Sequence, residues 1–346
     1  MASLRVVPQP VDEHVFAPPF AGLKSAQAIA RFPFPFTQPV QGPYRYSVNI
    51  EPHETDGIPG SPTEHFFDVD EFYFAELQER RRALKATPQH SQVLPEVTDA
   101  AQELTHLSLA RLAHSYPNYF IYSPQGHGFV WQNHLTGQAP TLFDPNAPLT
   151  ESKPDPLPFL TSQLPGDWAL LQQQDNQLWL KGGVVTGPAS WSLSEKLGMN
   201  YLQWHSPVPD QHQVFQRSLK YLLRLPPGQP VRRKNWGLCV HPRLEMSMEN
   251  RREWQHELQN TSENDLPQLV NLRVELQVLE RLPKSQAIAF YIRTYFLSLA
   301  ELKQNPEWAS RLVQVLEELS SDIAEYKNIA GVRMLIIKYL SGARHY

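Results

Sequence analysis

Proline placement decides where this chain can form regular structure. Thirty-two of its 346 residues are proline, eleven of them before residue 63 and seven more within 138–166. Each fixes its own φ and removes a backbone donor, which bars helix interiors and central strands. The run RFPFPFTQPVQGPY (31–44) alternates Phe with Pro. Its aromatic rings still demand burial, so residues 1–62 are expected to form an extended arm packed on a body. The body is expected to span 63–327, with a C-terminal helix in 328–346. Residues 138–166 read as a proline-rich connector.

Between these segments the hydrophobic periodicity can be read. Phe66, Val69, Tyr73, Leu77 and Leu84 recur at helical spacing and predict a helix over about 66–85, with Asp68 or Asp70 able to cap it. A second helix is expected at about 96–114, and a short hairpin region at 119–136. WALLQQQ (168–174), Asp175-Asn176 and QLWLKGGVVTG (177–187) carry a hairpin signature. A one-turn helix with a Ser192-x-x-Glu195 capping box follows, ended by Gly198. Further helices are expected at about 210–224, 267–281, from Pro306 (capped by Asn305) and at about 329–341. Strands are expected at 235–242 and 287–299. Strands that pair as hairpins and are separated by helices give an α+β fold with an antiparallel sheet.

Composition removes several function classes. A net charge of −4 leaves no basic excess to neutralise phosphates, so nucleic acid is not an expected partner. The cluster Arg80–Arg82 reads as a solvated helix face. The single cysteine, Cys239, cannot staple the fold or hold an iron–sulfur cluster. The first twenty residues lack the build of a signal peptide, and no apolar run of about 18 residues appears. A cytoplasmic protein without a membrane span is expected.

Few residues stand out chemically. His205 lies in Trp-His-Ser-Pro-Val-Pro, where Pro207 and Pro209 stiffen the loop. A rigid loop would fix the direction of an imidazole ligand; a packed histidine bonded to backbone is the plainer alternative. His205, His212, His241 and His256 form no His-Glu-x-x-His set, so a non-haem iron site would need ligands from unconnected segments. On the strand 287–299, Tyr291, Arg293 and Tyr295 share a face that is either solvated or turned to a ligand. On the expected helix 267–281, Arg273, Gln277 and Arg281 form one stripe, with Glu275 on the far side from Arg273. Asp167 follows the turn pair Pro165-Gly166 and reads as a strand-end residue or a pocket carboxylate. Trp191, Glu195 and Lys196 sit together in the one-turn helix.

In combination, several of these motifs resemble one family. Trp191, Glu195-Lys196, Gly198 and His205 with Pro207-Val208-Pro209 resemble the signature of the haem-dependent oxidative N-demethylase alpha subunits. Arg232–Asn235-Trp236, the segment 273–283, and FYIRTY (290–295) resemble flanking motifs of that family. The likeness runs from about residue 45 to 327. It implies a PAS-like antiparallel core with added helices, binding haem b. It implies O2-dependent N-demethylation of a small secondary amine, with electrons from flavin and iron–sulfur reductase subunits. On that basis His205 is the expected iron ligand, and Arg273 and Arg293 are expected to meet the haem propionates. Asp167 and Trp191 are expected to face the amine, with Lys196 beside them. A non-catalytic haem- or small-ligand-binding PAS-like sensor is the alternative. The chain departs from the family pattern at Leu164-Pro165-Gly166, at Thr186–Ser190 and at Val278.

Overall fold

The strands and the helices between them are set by where apolar residues can be covered on one side or on both. The structure, a computed structural model, describes residues 26–36, 44, 46–58, 61–126, 128–144, 155–209 and 212–342. Much of the expected arm and part of the connector (145–154) lie outside the described residues. The strands are β1 (Glu51–Pro52), β2 (Ser91–Val93), β3 (Phe120–Gln125), β4 (Gly128–Asn133), β5 (Thr141–Phe143), β6 (Asp167–Gln174), β7 (Gln177–Val184), β8 (Val231–Val240), β9 (Val270–Arg281) and β10 (Ile288–Ser298). Seven form an antiparallel sheet in the order β1-β8-β9-β10-β6-β7-β2, and β3-β4-β5 form a small second sheet. The fold is α+β. Among the described residues no helix is long and apolar enough to cross a membrane.

The hairpin β6–β7 turns at Asp175 and Asn176, both at positive φ, as a two-residue turn matched to strand twist requires. Gly166, at φ +144°, lets β6 start against the Tyr291 ring, whose atoms would lie 2.1 Å from an added Cβ. The helix Thr98–Ser115 and the helix His212–Leu222 fall where periodicity places them. Asn305 caps the helix Pro306–Glu318 through the Trp308 N–H.

Four sequence expectations are corrected. Residues 270–281 are β9, the centre of the sheet, not a helix. The spacing of Leu269, Leu272, Leu276 and Leu279 imitates a helix because β9 is covered on both faces and shows no in–out alternation. The first long helix begins at Tyr73, not near 66, because the Asp70 carboxylate accepts the Phe72 N–H in a turn ahead of it. Ser192 does not cap the helix Leu193–Lys196; its hydroxyl bonds Glu249 and accepts the Met248 N–H. The connector also holds structure, namely β5 and the helix Pro156–Gln163, which prolines can open at its first turn.

Two large apolar clusters cover the sheet. One gathers Phe32, Phe34 and Phe36 with β8–β10 and the C-terminal helices, including Ile336, Ile337 and Leu340 of Arg333–Ser341. Phe34 stacks on Trp308 at 4.9 Å, so the described part of the arm is packed on the body. The other joins the helices Tyr73–Ala86, Thr98–Ser115 and Pro156–Gln163 to the small sheet and to Trp168 and Tyr291.

Candidate functional site

Strand register sorts the candidate residues onto two faces. Along β9 and β10 the pairs Gln277–Ile292, Glu275–Thr294 and Arg273–Phe296 share one face, and Leu276–Arg293 and Val274–Tyr295 share the other. In β8, Arg233 pairs with Gln277, Asn235 with Glu275 and Gly237 with Arg273, on the first face. In β6, Asp167 pairs with Ile292 and Ala169 with Phe290, again on the first face.

A polar strip therefore crosses the middle of that face. Arg233 Nη1 donates to Gln277 Oε1 at 2.8 Å, and Gln277 donates to Glu275 Oε2 at 2.9 Å. Asn235 donates to the same carboxylate oxygen at 3.2 Å, and Arg273 Nη2 lies 3.4 Å from Glu275 Oε1. Arg273 and Glu275 thus meet, which a helix would forbid; a period of two puts alternate residues side by side. The strip divides apolar ground. Val231, Leu279 and Phe290 lie on one side, and Cys239, Leu244 and Phe296 on the other. At Gly237 an added Cβ meets nothing within 4 Å, so space opens over the strip.

His205 stands beside the strip's apolar border. Asn200 caps Tyr201–Trp204 in a reciprocal box with Gln203, and His205 ends that turn. Trp204 packs on Phe290 of the same sheet face at 6.1 Å. The imidazole stacks on Phe215 at 4.2 Å. Its Nδ1 lies 2.7 Å from the Tyr201 carbonyl. A carbonyl only accepts, so Nδ1 carries the proton and Nε2 keeps its lone pair. Nε2 makes no hydrogen bond among the described residues. Burial lowers the His205 pKa to about 4, with the Arg233 and Lys196 charges acting in the same direction and the Tyr201 bond opposing. The ring is therefore neutral at pH 7.

The structure brings Trp191, Lys196 and His205 into one neighbourhood. Trp191 packs on Trp204 at 5.1 Å, and Lys196, paired with Glu195 at 3.0 Å, is close enough for its charge to act on His205. Arg273 lies elsewhere on the same face. Its guanidinium donates to the carbonyls of Arg243, Leu244 and Gly187. Arg273 lies opposite Phe296, six residues along β10 from Phe290, or roughly 20 Å at strand rise.

Asp167 and Arg293 belong to an internal ion network. Asp167 Oδ1 accepts the Thr186 N–H (2.7 Å), the Thr186 hydroxyl (3.0 Å) and Arg80 Nη1 (2.5 Å), and Oδ2 accepts the Gly187 N–H (3.1 Å). Arg80 also binds Glu76, one helical turn earlier. Glu76 reaches Arg293, whose Nη2 donates to Asp70 at 3.0 Å. Arg31 and Tyr295 complete the chain at Asp68, whose pKa is pushed up to about 6 by burial and by Asp70. Arg80, expected on a solvated face, is only 1% exposed. No local pattern marks it, because its partner Asp167 is 87 residues away.

A family model described as "Haem-dependent oxidative N-demethylase, alpha subunit-like" matches residues 57–337, most of the chain. The chain belongs to this family. In this demethylase-family chain His205 is neutral, its tautomer is set by Tyr201, and its Nε2 makes no hydrogen bond among the described residues. Among the described residues no three His, Cys, Asp or Glu side chains converge on a metal position. A single protein ligand is compatible with a porphyrin, which brings its own four nitrogens. Of the arginines named from sequence, Arg293 is held by carboxylates and Arg273 mostly by carbonyls. Arg233, next to the Arg232 of the family resemblance, was not singled out from sequence, yet its charge acts on His205.

Proposed function

We propose that this protein is the haem-carrying subunit of a cytoplasmic oxidative N-demethylase, in which His205 Nε2 would hold the iron of haem b. The observation that carries this reading is the 2.7 Å contact from His205 Nδ1 to the Tyr201 carbonyl, which orients the ring and leaves Nε2 unprotonated. When bound, haem supplies the oxygen-activating redox centre. The chain's residues do the rest. Phe215 and Trp204 hold the imidazole plane and exclude water around it. Trp191 offers an indole face to a small ammonium substrate beside the site. Asp167 fixes the turn at Thr186–Gly187 that borders the strip.

The five long strands β6–β10, in the spatial order β7-β6-β10-β9-β8 with helices inserted between β7 and β8, support a PAS-like core. The single cysteine leaves an iron–sulfur centre to another subunit, so electrons are assigned to flavin and iron–sulfur partners. O2 and a small secondary amine are the substrates.

Replacing His205 with Ala is expected to abolish the Soret band or sharply weaken haem retention in purified protein. Unchanged haem uptake by that variant removes His205 as the ligand. One observation favours a second reading, a haem-binding sensor without turnover. The carboxyl of Asp167, suited by type to orient an amine, is occupied by internal donors. Amine-dependent O2 consumption with a supplied reductant decides between them, since a sensor binds and does not turn over.

A further inference from the structure

Two arginines of the sheet, Arg233 and Arg281, have no carboxylate partner among the described residues; Arg281 spends Nε, Nη1 and Nη2 on the carbonyls of Leu225, Gln286, Leu222 and Leu223 and on Gln173 Oε1, whereas Arg233 has donors left over. Arg80 is paired with Glu76 and Asp167, Arg293 with Asp70 and Glu76, and Arg273 with Glu275. Arg233 is half-buried, and its bonds go to neutral oxygens: Nε to the Val48 carbonyl and Nη1 to Gln277 Oε1, each at 2.8 Å. Among the described residues no carboxylate lies within ion-pair distance of it. Its Nη2 makes no hydrogen bond among the described residues.

The surroundings add to the charge imbalance. The Arg233 charge acts on His205, Tyr44, Tyr201, Tyr326 and Lys327, which places it amid these groups. Lys327 donates to the Trp236 carbonyl at 2.6 Å and lies over the Trp236 ring at 4.7 Å. Burial first, and then Arg233, lower its pKa to about 8, so it stays mostly cationic at neutral pH. Among the described residues, Glu275 pairs with Arg273 and its charge acts on Lys327, and no carboxylate pairs with Arg233. A partly desolvated cation without a counter-ion is costly, and a bidentate carboxylate is the partner a guanidinium fits best. Space over Gly237 leaves room above the same strip.

We propose that Arg233, supported by Lys327, is the counter-charge for the carboxylates of a porphyrin seated beside His205. This deepens the demethylase reading and rests on it. It assigns the propionates to β8, in place of the expected Arg273 and Arg293, which already have carboxylate partners in Glu275 and in Asp70 and Glu76.

The test compares two probes on the full-length apoprotein: haemin, and haemin dimethyl ester, which keeps the iron and the ring but has no free carboxylate. Wild-type protein is expected to bind haemin at least tenfold more tightly than the diester, read from Soret titrations. Arg233→Met is expected to lose that preference while binding the diester as wild type does, and Arg233→Lys to restore part of it. Equal affinity of wild type for both probes overturns the proposal, and so does an Arg233→Met variant that weakens both equally. If Arg233→Met does not fold, the wild-type comparison and Lys327→Met still decide. Wild-type protein that binds neither probe sinks the haem reading itself. Binding through His205 without discrimination sinks only the role of Arg233.

Discussion

Arg80 shows how much one residue can be asked to do. Its guanidinium joins Glu76 on its own helix to Asp167 at the start of β6, and it reaches the Thr186 hydroxyl as well. Both carboxylates are fully buried. Removing the cation leaves buried Asp167 without a counter-charge and Glu76 with Arg293 alone, which is far worse than losing a surface ion pair. Arg80→Ala is expected to cost about 3–5 kcal/mol, read as a lower urea midpoint with an unchanged m-value. A loss under about 1 kcal/mol, the range of a solvated pair, would return Arg80 to the surface face that the sequence suggested. His205 has the opposite character. Its Nδ1 is satisfied and its Nε2 is not, so its removal is expected to change haem retention more than folding.

At the scale of elements, β9 decides the architecture. It pairs with β8 along one edge and with β10 along the other, and both its faces are covered. Leu272 sits at its well-packed end, fully buried and opposite Leu238 and Leu297. Leu272→Ala is expected to destabilise by about 2–5 kcal/mol, measured by chemical denaturation. A cost near zero would mean that this end of the strand is loosely packed. The same element explains why the functional strip was hard to see. With 273, 275 and 277 taken as helical, Glu275 is turned away from Arg273; as a strand, they form one line of alternating charge and amide.

For the whole molecule, buried ionisable groups set the response to acid. Burial holds His53 and His205 at pKa values of about 4, below the ordinary 6.5. The unfolded chain takes up these two protons first, so the stability they contribute is complete above about pH 6.5 and is lost as pH falls toward 4. Asp68 works the other way. Its folded pKa of about 6 exceeds the ordinary 3.8, so the folded state gains its proton first between those values. Below 4.5, Glu245, held at about 2 by bonds from His90, Ser247 and Asn250 against the opposing effect of burial, withdraws further stability. Two groups against one predict falling stability from pH 7 to 4. His53→Phe is expected to flatten that slope, as followed by urea midpoints at several pH values. An identical slope in the variant would show that His53 is not buried in its neutral form.

The sequence by itself determined the α+β class, the β6–β7 hairpin and most of the amphipathic helices. Each of these is written in short-range chemistry: a turn pair with two positive-φ residues, and one-sided periodicity. The tertiary structure alone decided that 270–281 is a strand, that Arg80 is internal, and that Arg233 has no carboxylate partner among the described residues. Those facts depend on what covers the second face of a segment and on which charge arrives from a distant part of the chain. Residue order carries no local trace of either, because burial and ion pairing are properties of the assembled sheet.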